Sequence, residues 1–316
     1  MMELGLIRDG MMAVEEELKN VVESDVDVLR EASQHTISSG GKRVRPRLVL
    51  LAYLAAGGQD VMSVVPMATA VEMVHTATLV HDDINDHSLT RRGKITVHAR
   101  WGRTFALLTG DYLFTKVYEL MAPYGGAFNV IMADACIQLV EGETLQAAAA
   151  KAGLMDRETY KTIISRKTAS LFRAGARMGA LQAGADDDTV EALAEYAYNL
   201  GLTFQIVDDI LDIIGDPEKL GKPIGNDIVQ GRGLLAGQNG GAVLQVQDGG
   251  EAAAVVADDP IAQMMARLRD SGAVDVARMQ AVEMAKRAHA ALERVPSSPA
   301  RAELAELIDL VLERDQ

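Results

Sequence analysis

Apolar residues recur every three or four positions along most of this chain, which is the spacing that places them on one face of an α-helix. In residues 64–81 the pattern is nearly unbroken, and Glu72 is the only acidic side chain. Residues 187–214 keep the same spacing and become less polar toward their carboxyl end. Convincing runs of alternating β-branched residues are absent from the sequence. The pattern therefore predicts an all-α protein that contains two long, largely buried helices.

The rest of the pattern is typical of one helical bundle. Stretches rich in alanine and methionine at residues 127–150 and 262–292 predict further helices. Residues 231–259 are rich in glycine and glutamine, which indicates a long loop, a mobile insert or a linker. Because the chain after this segment is short, we expect residues 1–316 to form a single domain.

The composition is that of a globular protein, with 48% hydrophobic and 24% charged residues among 316. A formal net charge of −14 argues against coating of nucleic acids, whose phosphates are bound by clustered Lys and Arg. Cys136 is the only cysteine, which indicates a buried thiol in a reducing compartment. The amino terminus lacks a signal pattern and no stretch is uncharged and apolar enough to span a bilayer, which predicts a soluble cytoplasmic protein.

Both long apolar runs end in acidic clusters of identical spacing. The clusters consist of Asp82, Asp83 and Asp86 in LVHDDINDH, and of Asp208, Asp209 and Asp212 in FQIVDDILDIIGD. On a helix the first and last aspartates of each cluster lie one turn apart and repel each other. Both clusters lie among Leu, Val and Ile, whereas the acids of residues 184–193 open a helix, where its dipole favours them. Carboxylates in apolar surroundings predict bound cations.

The ligand types indicate which cation. All candidate donors are carboxylate oxygens, and no His/Cys pair has zinc spacing, so we expect Mg²⁺, with more than one ion in the site. His81 and His87 flank the first cluster, but imidazole suits softer ions, and we expect these two residues to have core or supporting roles instead.

Basic residues lie close to the acidic clusters despite the negative net charge. Lys42, Arg43, Arg45 and Arg47 follow two glycines in SSGGKRVRPRLVL, where Pro46 fits the first turn of a helix, although a solvated basic turn is an alternative. Further basic residues occur in LTRRGKITVH and SRKTASLF; they are Arg91, Arg92, Lys94 and Lys167. The acidic and basic groups together predict a site for metal ions and a diphosphate.

Five motifs resemble those of the trans-isoprenyl diphosphate synthases, also called polyprenyl synthetases. The motifs are GGKRVRPRL, HTATLVHDDINDHSLTRRGKITVH, EGETLQ, KTASLF and FQIVDDILDIIGDPEKLGKPIGND. They occur in the family's order and rough spacing, over about residues 36–230. The resemblance implies an all-helical isoprenoid-synthase fold, usually homodimeric, whose two acidic helices face each other across a central apolar cavity.

The resemblance also implies roles for individual residues. The direct Mg²⁺ ligands would be Asp82, Asp86 and Asp208, and the supporting carboxylates Asp83, Asp209 and Asp212. The residues that resemble the isopentenyl diphosphate site are Lys42, Arg45, His75 and Arg92. Those that resemble the groups around the allylic diphosphate and the forming cation are Arg91, Lys167 and Lys222, with Thr168 and Gln205 as the polar neighbours.

The implied reaction is a Mg²⁺-dependent prenyl transfer in isoprenoid biosynthesis. An allylic diphosphate ionises when metal and basic side chains stabilise its leaving group, and isopentenyl diphosphate attacks the cation in a site that excludes water. A protein nucleophile is not needed. The sequence departs from the family after Asp227, where QGRGLLAGQNGGA leaves Arg232 as the only charge. Three interpretations of this segment are open. Arg232 alone closes over the diphosphate, the glycine-rich insert is an element that orders the site, or the segment is a loop without a role in function.

Three other functions also use carboxylates or share this fold. A terpene cyclase typically carries Asn-Ser-Glu type ligands in its second motif, where this chain has Asp208, Asp209 and Asp212. A non-catalytic or regulatory subunit of a heteromeric prenyl synthase usually lacks one acidic motif, and both are present here. A magnesium phosphohydrolase needs a water-filled site, which the apolar neighbours disfavour.

Residues that precede the first acidic cluster bear on product length. Ala77 and Thr78 lie about 6 to 7.5 Å before Asp82 along a helix, where a growing tail would pass. Both are small, whereas synthases of short products in the resembling family often place an aromatic ring at one of these positions. We therefore expect a product of C20 or longer, with Met73 and Val74 as candidates for the cavity floor. The alternative is that Ala77 only packs against a neighbouring helix.

Overall fold

The computed structural model describes residues 2–215, 266–267 and 269–315, with side chains from residue 5 to residue 314 of these ranges. Nearly all of this part is helical, which confirms the all-α prediction. The helices, numbered along the described chain, are α1 Met2–Asn20, α2 Asp27–Ile37, α3 Val44–Ala55, α4 Val65–Asn85, α5 Val97–Trp101, α6 Arg103–Met121, α7 Gly126–Ala152, α8 Arg157–Ile164, α9 Ser170–Gln182, α10 Asp187–Ile214, α11 Ala273–Leu292 and α12 Pro299–Leu312.

Short elements connect or extend these helices. Two 3₁₀ turns span Val61–Val64 and Glu313–Asp315, and a π-helical turn, Ser165–Ala169, joins α8 to α9. A two-stranded antiparallel hairpin, β1 Thr90–Arg91 and β2 Lys94–Ile95, follows the first acidic cluster. The predicted loop at residues 231–259 lies outside the described residues.

Helix α4 packs against α1, α3 and α6, while α10 packs against α9 and α11. The apolar side chains of α4 that are completely buried are Met67, Ala68, Ala70, Val71, Met73, Val74 and Ala77. Burial of a Val or Met side chain is worth about 1.5–3 kcal/mol, so this helix contributes a large share of the core. It thereby holds the first acidic cluster on rigid structure.

Residues Val61–Asn85 are apolar enough, by length and composition alone, to cross a membrane. The stretch contains Glu72, Asp82 and Asp83, so it does not contradict the expectation that no uncharged stretch of the chain could span a bilayer. In the folded protein 72% of the apolar window is buried against other helices, as in the core helix of a bundle.

The acidic start of α10 has the predicted role. Asp186 is the N-cap residue, and its carboxylate accepts a hydrogen bond of 2.8 Å from the backbone N–H of Thr189. Asp187 and Asp188 follow in the first turn, at the positive end of the helix dipole. The same helix ends in the second acidic cluster, where no such benefit exists.

Arg43 has a structural role, and the structure corrects its grouping with the anion-binding residues. Its guanidinium is buried and donates to Glu72 (2.9 Å), to Glu15 (2.6 Å) and to the carbonyl of Ile37 (3.1 Å). Glu72 is only 3% exposed, so each charge neutralises the other inside the protein. This ion pair fixes the start of α3 against α4.

Removal of one charge from this pair is expected to destabilise the fold. We predict that Arg43→Ala lowers the free energy of unfolding by about 3–5 kcal/mol, because Glu72 is left buried and unpaired. Urea denaturation followed by circular dichroism measures the change. The matched control is Arg294→Ala, which removes an exposed arginine paired with Asp188 and Glu195 and should change the free energy of unfolding far less, because solvent screens exposed ion pairs. Similar losses in the two variants would contradict a special role for the buried pair.

Candidate active site

Both acidic clusters lie at the carboxyl ends of long helices. Asp82 and Asp83 belong to the last turn of α4, and Asp86 follows as its C-cap residue, with its N–H donating to the carbonyl of Asp82 at 2.8 Å. Asp208, Asp209 and Asp212 belong to the last two turns of α10. A helix is partially negative at this end, so the carboxylates add negative charge where it is least favourable. Positive charge must therefore come from elsewhere in the fold.

Basic side chains from distant elements face the first aspartate of each cluster. The Nζ atom of Lys167, in the π turn, lies 3.7 Å from Oδ2 of Asp82, forms an ion pair with Glu143 and donates to Oε1 of Gln146 at 3.1 Å. Burial raises the pKa of Asp82 to about 6; Lys167 opposes this shift, and Glu143 adds to it.

The first aspartate of the second cluster has a comparable neighbour. Nη2 of Arg314, in the carboxyl-terminal 3₁₀ turn, lies 3.3 Å from Oδ1 of Asp208. Elements that are far apart in sequence therefore supply the neutralising charges of both clusters.

The second aspartates of the clusters are held by protein groups. Asp83 accepts a hydrogen bond of 2.6 Å from Nε of Arg91. Asp209 accepts one of 2.6 Å from the Tyr160 hydroxyl and one of 2.9 Å from Nε2 of Gln205. Asp212 is 1% exposed. The supporting roles of these aspartates stay a prediction; Asp82 and Asp208 each face one basic side chain, Lys167 and Arg314 respectively.

The π turn connects the two clusters. Lys167 reaches Asp82 on α4, and the next residue, Thr168, donates a hydrogen bond of 2.8 Å to Oε1 of Gln205 on α10. Gln205 in turn donates to Asp209. Five of the residues predicted from sequence are thus connected, by polar contacts and by the peptide bond between Lys167 and Thr168.

A second group of predicted residues forms a crowded basic patch. Arg92 donates to the carbonyl of Gly40, beside the loop that carries Lys42. Burial lowers the pKa of Arg45 to about 10; Glu72 and Asp208 oppose this shift, and Arg92 adds to it. Burial, followed by Arg45 and Arg92, holds the pKa of His75 well below its usual range, so the ring is neutral. Such crowding of positive charge favours a bound anion.

Arg45 of this patch and Arg314, the neighbour of Asp208, carry buried donors without acceptors in the described part of the chain. Within the described part of the chain, Nε of Arg45 and Nη1 of Arg314 have no hydrogen-bond partner. Their guanidiniums stack on aromatic rings, with Cζ of Arg45 4.7 Å from the ring centre of Phe172 and Cζ of Arg314 5.2 Å from that of Phe204. An unsatisfied buried donor costs about 1–3 kcal/mol, which a diphosphate oxygen would recover.

The acidic clusters suit a metal that a ligand helps to hold. Among the described residues, no three His, Cys, Asp or Glu side chains are arranged as a complete metal cage. Mg²⁺ rarely uses such a cage; it binds one or two carboxylates and completes its octahedron with water and substrate phosphates. Asp82 and Asp208 already lie beside cationic side chains, so their carboxylates fit this donor set.

Sequence reasoning missed four residues of the site. Glu143 and Gln146 lie one turn apart within the motif EGETLQ, so their spacing was a usable signal for a shared face. Tyr160 and Arg314 lie outside the five motifs and had no comparable signal. Lys222 and Arg232 lie outside the described residues.

The flanking histidines and the chain-length candidates lie on α4 or just beyond it. The ring of His81 approaches the Leu107 carbonyl (3.3 Å) and stacks on Phe114, whereas His87 is exposed. Thr78 is half-buried and donates to the carbonyl of His75 at 2.8 Å. The three remaining chain-length candidates are completely buried; they are Met73, Val74 and Ala77.

Known proteins resemble this chain over most of its length. The sequence profile of the family described as "Polyprenyl synthetase" matches residues 26–234. A short chain isoprenyl diphosphate synthase of Methanothermobacter thermautotrophicus is 34% identical over 312 residues, 96% of each chain. Component 2 of the heptaprenyl diphosphate synthase of Geobacillus stearothermophilus is 41% identical over 230 residues, 72% of each chain.

A solved structure has the same fold. The polyprenyl synthase of Caulobacter crescentus CB15, crystallised with calcium and isoprenyl diphosphate, superimposes with a TM-score of 0.89 at 33% identity. The match covers 99% of this chain and 97% of that one.

Proposed function

Because this chain belongs to the polyprenyl synthetase family, we propose that it condenses isopentenyl diphosphate with an allylic diphosphate to give a longer trans-prenyl diphosphate. One observation carries the proposal. Two acidic helix ends, each faced by a basic side chain from a distant element, lie beside a basic patch with unsatisfied donors. This arrangement supplies two kinds of diphosphate site, one that includes metal ions and one built from basic groups alone.

The basic patch is proposed to bind isopentenyl diphosphate. Lys42, Arg45 and Arg92 supply positive charge, and the unsatisfied Nε of Arg45 supplies a directed donor. The neutral ring of His75 contributes a hydrogen bond without further charge repulsion. Arg314 belongs to the same patch, since it is close enough to lower the pKa of Lys42 after the effect of burial.

The allylic diphosphate is proposed to bind between the acidic clusters. Mg²⁺ held by Asp82, Asp86 and Asp208 would act there as a Lewis acid for the departing diphosphate. Lys167 and Arg91 bind diphosphate oxygens as negative charge develops, and Lys222 is proposed to act with them. The oxygen atoms of Thr168 and Gln205 face the forming carbocation, and the surrounding apolar helices exclude water that would capture it.

Product length is proposed to depend on the apolar helix below the first cluster. Small side chains at Ala77 and Thr78 leave no aromatic floor one turn from Asp82. A tail of C20 or longer can then extend toward Met73 and Val74 along a proposed central cavity. The relatives carry names from short chain to nonaprenyl synthases, so family membership does not set the length.

We also propose a homodimer. Helices α6 and α7 expose large apolar side chains that helices of a lone protein seldom present to water. The most exposed are Leu108, Tyr118, Val130, Ile137 and Val140. A second copy of the chain would cover both helices. One relative is named as a component of a synthase, and a heteromeric assembly is the corresponding alternative. A cytoplasmic location stays a prediction.

The first test is the product of the purified protein. With Mg²⁺, isopentenyl diphosphate and an allylic primer, we expect longer prenyl diphosphates, identified by mass spectrometry after dephosphorylation.

Asp82→Ala and Asp208→Ala should each lower kcat on the order of 10²-fold or more, because each removes a carboxylate that is proposed to hold metal. The control Asp187→Ala, at the exposed start of α10, should retain activity. A cyclic hydrocarbon, release of inorganic phosphate alone, or an active Asp208→Ala variant would contradict the proposal.

A second test separates the two diphosphate sites. Arg92→Ala should raise KM for isopentenyl diphosphate by about 10-fold or more, and Lys167→Ala should raise KM for the allylic primer by a similar factor. Each substitution removes a charged hydrogen bond to one of the two substrates. Lys161→Ala serves as the control, since its ammonium is exposed and pairs only locally with Glu158 among the described residues. Equal effects on both substrates would indicate one shared anion site.

A third test concerns product length. Ala77→Phe should shorten the main product, because the ring narrows the proposed path of the tail. Ala77 is completely buried, and overpacking of a buried site typically costs about 1–3 kcal/mol of stability. Thr78 is only half-buried, so Thr78→Phe is a second variant that should disturb the packing less. Products are compared by reversed-phase chromatography. Folded, active variants that keep the wild-type product distribution would show that Ala77 only packs against a neighbouring helix.

A further inference from the structure

The helical run from α8 to α9 is interrupted at the residues that contact both acidic clusters. In the π turn Ser165–Ala169, the N–H of Ser170 donates to the carbonyl of Ser165, five residues earlier. A π turn is rare and often occurs at functional sites. Lys167 and Thr168 both lie within it, so the position of this turn decides where their side chains reach.

Two glycines border the turn from opposite elements. A methyl group built on Gly142 of α7 would lie 2.6 Å from the backbone nitrogen of Lys167 and 3.0 Å from Cβ of Arg166. A methyl group on Gly201 of α10 would lie 2.8 Å from Cα of Ala169. Carbon atoms in proteins essentially never approach this closely, and the atoms concerned belong largely to the backbone, which cannot rotate away.

We propose that Gly142 and Gly201 are positioning residues for the prenyl-transfer reaction. Because they lack side chains, α7 and α10 contact the backbone of the π turn directly and fix its position from two sides. The turn then presents Lys167 to Asp82 and Glu143, and Thr168 to Gln205. This inference rests on the proposed function, which assigns Lys167 to the allylic diphosphate.

The local sequence supports a specific role for Gly142. Glycine inside a helix costs about 0.5–1 kcal/mol relative to alanine. Helix α7 is rich in alanine, including four in a row at residues 147–150, yet glycine occupies its interior at 142. The glycine immediately precedes Glu143, which forms the ion pair with Lys167. The close backbone contact and the ion pair therefore act on the same residue.

A double-mutant cycle tests whether Gly142 acts through Lys167. Gly142→Ala should lower kcat/KM for the allylic primer on the order of 10- to 100-fold, because small displacements of a catalytic group are costly. KM for isopentenyl diphosphate should not change. In a protein that already carries Lys167→Ala, Gly142→Ala should lower kcat/KM by less than about a further 3-fold, since the effects of substitutions at residues that act together are not additive. Gly201→Ala is the second variant and should show the same pattern.

Two matched controls separate positioning from packing. Gly179→Ala would place a methyl group 2.7 Å from the carbonyl oxygen of Val49, an equally close backbone contact away from the π turn. This variant should lower Tm, and it should change kcat/KM for both substrates by the same factor. Its effect on kcat/KM should also add to that of Lys167→Ala without coupling. Gly126→Ala, at the start of α7, meets no atom within 4 Å and should behave like the wild type.

Each outcome decides the proposal. Wild-type kinetics of Gly142→Ala and Gly201→Ala, or additive effects with Lys167→Ala, would overturn it. Variants that do not fold would also overturn it, since the glycines would then serve the fold as a whole. The Kd of inorganic pyrophosphate in the presence of Mg²⁺ is also measured by calorimetry, for the wild type, the two single variants Gly142→Ala and Lys167→Ala, and the double variant. If the wild-type protein binds pyrophosphate but does not elongate a primer, the proposed function alone is contradicted. If the wild-type protein is active but the effects of Gly142→Ala and Lys167→Ala are additive, the glycine proposal alone is contradicted.

Discussion

The fold is constrained by negative charge at the carboxyl ends of two long buried helices. Asp82 and Asp208 add carboxylates where the helix dipole is already negative and where apolar neighbours weaken solvent screening. Such groups persist only if positive charge lies close to them. Lys167 and Arg314 supply it within the protein, and Mg²⁺ with its diphosphate is proposed to supply it during turnover. The π turn and the carboxyl-terminal 3₁₀ turn are the elements that bring these cations to the clusters.

The same requirement explains why arginines close together in sequence have different roles. Arg43 donates to two carboxylates and a carbonyl, so it is neutralised inside the protein and stabilises the packing of α3 on α4. Arg45 lies two residues later, stacks on Phe172 and keeps a buried donor without an acceptor in the described chain. A buried arginine with satisfied donors contributes stability, whereas one with an unsatisfied donor favours an anion. The anion affinity therefore belongs to Arg45 and its neighbours in the patch.

Close packing sets the precision of this arrangement. Alanines on α4 and glycines on α7 and α10 let helix backbones approach one another, which leaves little room for displacement of the groups between them. The site thus combines a rigid α4, which holds the first cluster, with a π turn that rests on neighbouring backbones. By contrast, α6 and α7 leave apolar side chains exposed on the outer surface, where the proposed second copy would bind.

The sequence by itself determined the all-α class, the two long helices, the acidic start of α10 and the spacing of both clusters, because helical periodicity and capping depend on residues a few positions apart. Its five motifs also indicated most members of the candidate site. Only the tertiary structure decided that Arg43 pairs with Glu72, that Arg314 faces Asp208, that Glu143 and Tyr160 belong to the site, and that Gly142 touches the π turn. These contacts join residues far apart in the chain, and nothing in the local pattern of either partner specifies which distant side chain or backbone the packing of helices brings against it.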